Sequence, residues 1–376
     1  MYRPFRQYHI LNILTGYDQQ PLPLDLFMKN YFQLHKALGS KDRGFIAETS
    51  YAMMRWKGLL DFLCGDSSTW ENRLDIFLDP QFENAKYRAN IPVHISLSFP
   101  KDLFDLIVSS HGVQKACEIC TISNNPAPTT VRVNALKTTR DEMLKRWSGI
   151  YEVTPCPVSS HGIVFQRRIN FFVLPEFKEG LFEVQDEGSQ LLAELVEAKP
   201  GDLVMDYCAG SGGKTLAFSP SMQNKGQIYL HDIRKHALQD SKKRLRRAGI
   251  QNAQVVLAEE DKIKKLKKAM DWVLVDAPCS GTGTLRRNPD MKWKFDPAML
   301  QRIQGQQRMI FEKALSFLKP RGHIVYSTCS ILKEENHDQI VHFMKTYDLI
   351  LASEIFESLP VSGGMDGFYG AVFIRN

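Results

Sequence analysis

The chain has 376 residues, 43% hydrophobic and 24% charged, with a formal net charge of +6. That length allows two or three domains with a substantial core, the composition is that of a folded chain rather than a disordered one, and the mildly basic balance permits an acidic partner without demanding one. Seven cysteines spread through so long a chain argue against a disulfide scaffold and for a reducing compartment; no run approaches the ~18 apolar residues of a membrane span, and the opening MYRPFRQYHILNILTGYD is too polar for a secretion signal, so a cytoplasmic location without membrane contact is expected.

From residue 1 to about Cys120 apolar residues recur at three and four, as in FMKNYFQLHKAL and FIAETSYAMMRWKGLLDFL. That period predicts packed amphipathic helices, and residues 1–122 are expected to form an all-helical domain. LGSKDRGFIAE reads as a turn into one such helix, with Ser40 or Asp42 as cap. Cys117 and Cys120 form a CxxC, but no second pair accompanies it and one helix face gives the same spacing, so no metal site is expected. SNNPAP, Ser123 to Pro128, punctuates the chain as a domain joint. Strand TTVRVNAL, a helix near Glu142 to Trp147 and strand-like pieces through Phe182 follow, a small α+β extension over residues 123–190.

From Leu191 the pattern changes. Short apolar strands, DLVMD, QIYLHD, AQVVLAE, DWVLVD and HIVYST, alternate with helical stretches such as Arg234 to Ala248 and Pro297 to Leu318. Strands joined by helical crossovers predict an α/β, Rossmann-like doubly wound parallel sheet over residues 191–376. Gly249 and the cluster Pro320, Arg321, Gly322 stand where helices should stop.

The first of these strands enters DYCAGSGGKT, Asp206 to Thr215. In a doubly wound sheet ligands bind beyond the carboxyl ends of the strands, and a glycine-rich first turn lets backbone approach a nucleotide. A phosphate-cradling P-loop is excluded, because Cys208 occupies the position of its first glycine. The dinucleotide fingerprint also fails at its third glycine, where Thr215 stands. Asp232, ending the second strand about 20 residues on, is placed to hold a ribose diol. A glycine loop with a ribose acid and no phosphate apparatus suits an adenosine ligand such as S-adenosylmethionine. Asp261 is a further adenine contact, with Glu259 and Glu260 as rivals for that register.

Two cysteines close later strands at the same edge, Cys279 in DAPCSGTG and Cys329 in YSTCS. Either is small enough to be core packing. Beside a methyl donor, however, a thiolate adding to carbon 6 of a pyrimidine makes carbon 5 nucleophilic, which is covalent catalysis. The thiol needs an electropositive or hydrogen-bonded site to ionise, and Asp276 is placed to hold the cytosine amino and N3 edge, protonated there if it is to offset the incoming charge.

DYCAGSGGKT, DAPCSGTGTLRRNPDMKW, YSTCSILKEEN and the closing DGFYGAVFIRN resemble, in order, the motifs of the bacterial Sun/Fmu-type RNA cytosine-C5 methyltransferases, with VRVNALK and FEVQDEGSQLL matching upstream elements. LGSKDRGFIAETSYAMMR resembles the NusB-like helical domain attached to the small-subunit ribosomal RNA enzymes. The resemblance implies a class I methyltransferase domain, S-adenosylmethionine as cofactor and small-subunit (16S) ribosomal RNA as substrate. It implies Cys329 as nucleophile, Cys279 as the thiol that assists product release, and a cofactor site at Cys208, Ala209, Gly210, Ser211, Gly212, Gly213, Lys214, Asp232, an acid near Asp261, and Asp276. Gly210 and Ser211 depart from the Ala and Pro common there, and His337 replaces a frequent glutamate, so no role is assigned to it.

KKRLRR, Lys242 to Arg247, and KIKKLKK, Lys262 to Lys268, are either RNA-facing or solvated helix faces. LRRNPDMKW mixes cations with an aromatic, as phosphate contact and base stacking require, and Arg286, Arg287 and Lys292 are the expected RNA contacts. A target base must leave its stack to reach such a pocket, so an RNA loop or unburied segment is the expected substrate. The enzyme is expected to be monomeric. A non-catalytic RNA-binding assembly factor, or a methyltransferase of tRNA or DNA cytosine, is the alternative.

Overall fold

The computed structural model describes residues 3–375 apart from 21, 258 and 260 and the side chains of 261 and 262. Contacts divide the chain into two compact units, Met1–Pro126 with Thr284–Met299, and Ala127–Gly283 with Leu300–Asn376.

The first unit is helical. Its core is the apolar face predicted by the three-and-four spacing, with Ile13, Leu14, Leu24, Ile46, Met53, Leu59 and Leu60 all buried. The helix Ser40–Arg55 is capped by Gly39 rather than by Ser40 or Asp42; Asp42 lies in the first turn, where a carboxylate favours the helix dipole without capping it. The segment Thr284–Met299 returns to this unit from far along the chain, an excursion that no local pattern announces.

The second unit holds two sheets. The smaller consists of β1 (Thr129–Val133), β2 (Val153–Pro155), β3 (Gly162–Phe165) and β4 (Phe182–Val184), in the order β2-β3-β1-β4 with every pairing antiparallel. Val131, Trp147, Phe165 and Phe182 fill its core. Its helix Arg140–Trp147 starts with a reciprocal Thr139–Glu142 capping box, which satisfies two otherwise unpaired backbone donors.

The larger sheet comprises β5 (Leu203–Asp206), β6 (Gln227–Leu230), β7 (Ala253–Val255), β8 (Met270–Asp276), β9 (Leu318–Thr328), β10 (Leu349–Leu351), β11 (Phe356–Ser358) and β12 (Phe368–Arg375), ordered β10-β12-β9-β8-β5-β6-β7 with β11 on β12. β5 to β9 pair in parallel, and β12 joins β9 antiparallel. The Rossmann-like doubly wound sheet read from the sequence is therefore present, and its strand order reverses between β5 and β8, the switch point at which such sheets bind ligands. One boundary differs: the helix expected to reach Leu318 ends at Leu315, and β9 already begins at Leu318, passing through Pro320, Arg321 and Gly322. Arg321 has a φ of +58° and the β8–β9 register shifts between Met270 and Trp272, so the proline–glycine cluster marks an irregular strand start, not a helix stop.

Candidate active site

β5 and β8 are hydrogen-bonded neighbours, and a cavity of about 820 Å³ opens at their carboxyl ends. Cys208, Ala209, Gly210, Ser211, Gly213 and Lys214 line it from the loop after β5, and Asp232 and Arg234 line it from the end of β6. Asp276, Cys279 and Cys329 complete the far wall. Gly212, at φ +79°, instead turns the loop into the helix Gly213–Phe218, and a Cβ there would meet the Ser241 Cβ at 3.2 Å. Asp261 begins the short helix Asp261–Lys265; its side chain and Glu260 lie outside the described residues.

Asp232 is 7% exposed. It accepts from Gly210 N at 2.7 Å and from the Arg234 backbone and guanidinium at 2.8 to 3.0 Å. Burial opposes its charge, but these donors outweigh burial and hold it below the ordinary aspartate range. Asp206 accepts from the Thr215 hydroxyl at 2.6 Å through one oxygen, while its other oxygen is buried without a hydrogen-bond partner. A buried acceptor left unmet beside a cavity is a polar group waiting for a donor. These acceptors thus fit an adenosine carrying an amino-acid ammonium: one carboxylate accepts from a diol, a second from the ammonium, with small residues between.

β8 and β9 are adjacent parallel strands with Asp276 opposite Ser327, which brings the loops beyond them together. Ala277 N donates to Ser327 O and Gly283 N to Cys329 O, both at 2.9 Å. Gly283 must be glycine, since a Cβ would lie 2.1 Å from Gly367 O. Across this join Cys279 Sγ and Cys329 Sγ stand 3.3 Å apart, both as free thiols.

The two are not equivalent. Either sulfur can donate in this contact; the hydrogen bond to Cys329 and burial together hold Cys279 well above an ordinary thiol. Cys329 is lowered: its hydrogen bond with Cys279 outweighs burial, and Lys214 helps against the opposing Asp276 and Glu335. Lys214 Nζ lies 2.6 Å from Asp276 Oδ2. Burial disfavours this ammonium, but Asp276 outweighs it and raises its affinity for the proton. This ion pair holds the Asp276 carboxylate at the cavity wall. Cys208, a third thiol lining the cavity, is pushed far up by burial and by Asp206, Asp276 and Asp232, and so is inert at neutral pH.

The expected RNA contacts are placed differently. Lys292 is 2% exposed and donates to Arg55 O at 2.7 Å and Asn124 Oδ1 at 2.8 Å; burial drives it well below an ordinary lysine. Arg286 is also 2% exposed, and Arg55 donates to its carbonyl at 2.9 Å. Arg286 and Lys292 are therefore buried within the helical unit, and only Arg287 of the three is half-buried. A mixture of cations and aromatics carries the same signal whether it faces phosphate or packs inside.

Sequence reasoning missed Asp206, Arg234 and Glu335. All three stood inside or beside the quoted motifs, and the one signal pointing to any of them was an acid closing an apolar strand. Among the described residues no group of three or more His, Cys, Asp or Glu is arranged to hold a metal, and no helix is long and apolar enough to cross a membrane.

A doubly wound sheet of this order, with its glycine loop after the first strand, a carboxylate after the second and a cavity at the switch point, defines a class I methyltransferase domain. Residues 193–373 match the family described as 16S rRNA methyltransferase RsmB/F, and residues 99–171 match the RsmF/B-like ferredoxin-like domain. Over residues 193–373 the chain is thus similar to this methyltransferase family. A probable ribosomal RNA small subunit methyltransferase B of Bacillus subtilis is 31% identical over 297 residues, which cover 72% of this chain and 65% of that one. The ribosomal RNA small subunit methyltransferase B of Pseudomonas syringae pv. tomato is 32% identical, with 68% and 61% covered. The chain thus spans less than two thirds of the length of these relatives. Among solved structures, PH0851 superposes with a TM-score of 0.84 at 22% identity over 100% of both chains, a likeness of fold. A methyltransferase homolog from Pyrococcus horikoshii gives 0.65 at 27% identity over 80% of this chain and 100% of that one.

Proposed function

We propose that the protein methylates carbon 5 of a cytosine in RNA, with small-subunit ribosomal RNA as substrate and S-adenosylmethionine as methyl donor. The observation that carries this reading is the thiol pair itself, Cys279 and Cys329 with their sulfurs 3.3 Å apart on the wall of a cofactor-sized cavity that the glycine loop and Asp232 also line.

Residues 208–214 and Asp232 would hold the adenosine, with the exposed Arg234 guanidinium as the partner that a ribose diol displaces from Asp232. Asp206 would receive the ammonium. S-adenosylmethionine, when bound, supplies an electrophilic methyl group. The Cys329 thiolate attacks carbon 6 of the cytosine, and the electron pair of the 5,6 double bond becomes available at carbon 5. Asp276, held by Lys214, accepts from the base's amino group and so orients the ring. Transfer breaks the methyl–sulfonium bond and leaves S-adenosylhomocysteine; a water molecule then takes the carbon-5 proton, the C–H electron pair re-forms the 5,6 double bond, and Cys329 leaves carbon 6 with the C–S pair as a thiolate. Cys279, whose sulfur lies 3.3 Å from that of Cys329, is placed to assist that release by donating its proton to the leaving sulfur.

The test compares Cys329→Ala with Cys279→Ala on ribosomal RNA with labelled cofactor. The first should give neither methylation nor a covalent complex, while the second should accumulate protein joined to RNA. Normal methylation by Cys329→Ala would remove the nucleophile assignment.

A further inference from the structure

Glu335 is 0% exposed. Its carboxylate accepts from Ser280 N at 2.9 Å, from Gln307 Nε2 at 3.0 Å, and from the hydroxyls of Ser280 and Ser330. Ser280 directly follows Cys279, and Ser330 directly follows Cys329. We propose that Glu335 is a positioning residue whose carboxylate clamps the two cysteine loops together and thereby sets the contact between Cys279 and Cys329. The inference rests on the methyl-transfer reading above and deepens it.

Burying a carboxylate is costly unless strong donors surround it. If packing alone were needed, an apolar residue of similar volume would serve at lower cost, so what the site gains is an acceptor with two oxygens that reaches both loops at once. The hydroxyls continue the bridge. Thr282 Oγ1 lies 3.0 Å from Ser330 Oγ and accepts from Ile331 N at 3.1 Å, so each loop is held to the other by side chain as well as backbone. Glu335 itself is anchored from below, because the Tyr326 hydroxyl donates to its carbonyl at 2.8 Å. Gln307, which also donates to Pro278 O at 3.1 Å, accepts from Gln339 at 2.9 Å.

Charge and clamp are separable. The charged groups acting on Cys329 are Lys214, Asp276 and Glu335. Glu335→Gln removes the negative charge but keeps the bridge: its carbonyl can accept from Ser280 N and Gln307, and its amide can donate to hydroxyls that rotate to accept. Glu335→Leu removes both.

The experiment uses the full chain and two readouts. In the first, iodoacetamide labelling from pH 6 to 10 without RNA is followed at each cysteine by peptide mass. Wild type and Glu335→Gln should label Cys329 at lower pH than Cys279, whereas in Glu335→Leu the two profiles should merge. In the second, kcat for methylation should fall about 100-fold in Glu335→Leu, as for a sub-ångström-to-ångström misplacement of a reacting group, and by no more than about threefold in Glu335→Gln. Affinity for S-adenosylhomocysteine should be unchanged in both. If the leucine variant does not fold, the double variant Ser280→Ala with Ser330→Ala removes both hydroxyl donors, keeps the charge, and must merge the profiles in the same way. Separate profiles and wild-type kcat in a folded leucine or double-serine variant would overturn the clamp. Failure of the wild type to methylate any RNA would count against the function instead, and the labelling profiles would still decide the clamp.

Discussion

Asp206 ends β5 with one oxygen on Thr215 and the other buried without a hydrogen-bond partner. Burial, with Asp276 adding to it, pushes its carboxyl up to about 7 against the opposition of Thr215 and Lys214. Between about pH 4 and pH 7 the folded chain therefore keeps a proton that the unfolded chain has released, and stability falls as pH rises through that window. The full effect is on the order of 4 kcal/mol above pH 7. Asp206→Asn should flatten this slope and raise the melting temperature at pH 8 relative to wild type. A bound ammonium supplies both the missing donor and a compensating charge, so the same substitution should weaken S-adenosylhomocysteine binding by about 10- to 100-fold. Thermal melts from pH 4.5 to 8.5, with and without that ligand, check both effects. A slope unchanged in the asparagine variant would mean that another group titrates.

Within the second unit the helix Lys235–Ala248 shows how one charge run divides its work. Arg244 and Arg247 turn inward onto Glu183 of β4, with Arg244 also donating to the Ser211 hydroxyl at 2.7 Å, while Lys242 and Lys243 remain exposed. Glu183→Ala should destabilise the chain by about 2 to 3 kcal/mol in urea titration, since it strands two guanidiniums that are only partly solvated. Lys242→Gln with Lys243→Gln should change stability by less than about 0.5 kcal/mol and lower the salt dependence of RNA binding by roughly one unit of slope per lysine. The KKRLRR run alone left both uses open, because Glu183 lies far back along the chain. Legibility elsewhere followed the same division. The five parallel strands, the helix near Glu142 to Trp147 and the Gly249 stop were readable because a local period or a single residue encodes each of them. The insertion of β12 between β9 and β10, and the meeting of Ser280 and Ser330 on Glu335, depend on which strands become neighbours, and no local pattern carries that.

At the scale of the chain, the helical unit cannot be cut away at the Pro126–Ala127 boundary, because Thr284–Met299 is part of it. Asp290 accepts from the Tyr17 hydroxyl at 2.8 Å and from Leu24 N at 3.3 Å. Trp293 Nε1 donates to Met54 O at 2.7 Å, and its ring fills the space beside Gly58, where a Cβ would lie 2.7 Å from it. Lys292 gives its ammonium to Arg55 O and Asn124 Oδ1. All of these partners lie before residue 127, so a fragment of residues 127–376 keeps the cavity residues but leaves Lys292 and Trp293 without the groups that satisfy them, and Asp290 with Lys294 in place of Tyr17 and Leu24. Trypsin should then cut the fragment rapidly between Arg286 and Lys294, at sites that in the full chain open only with the helical unit. Adding residues 1–126 in trans should slow that cleavage, and a fragment as resistant there as the full chain would show that the excursion is held by other contacts.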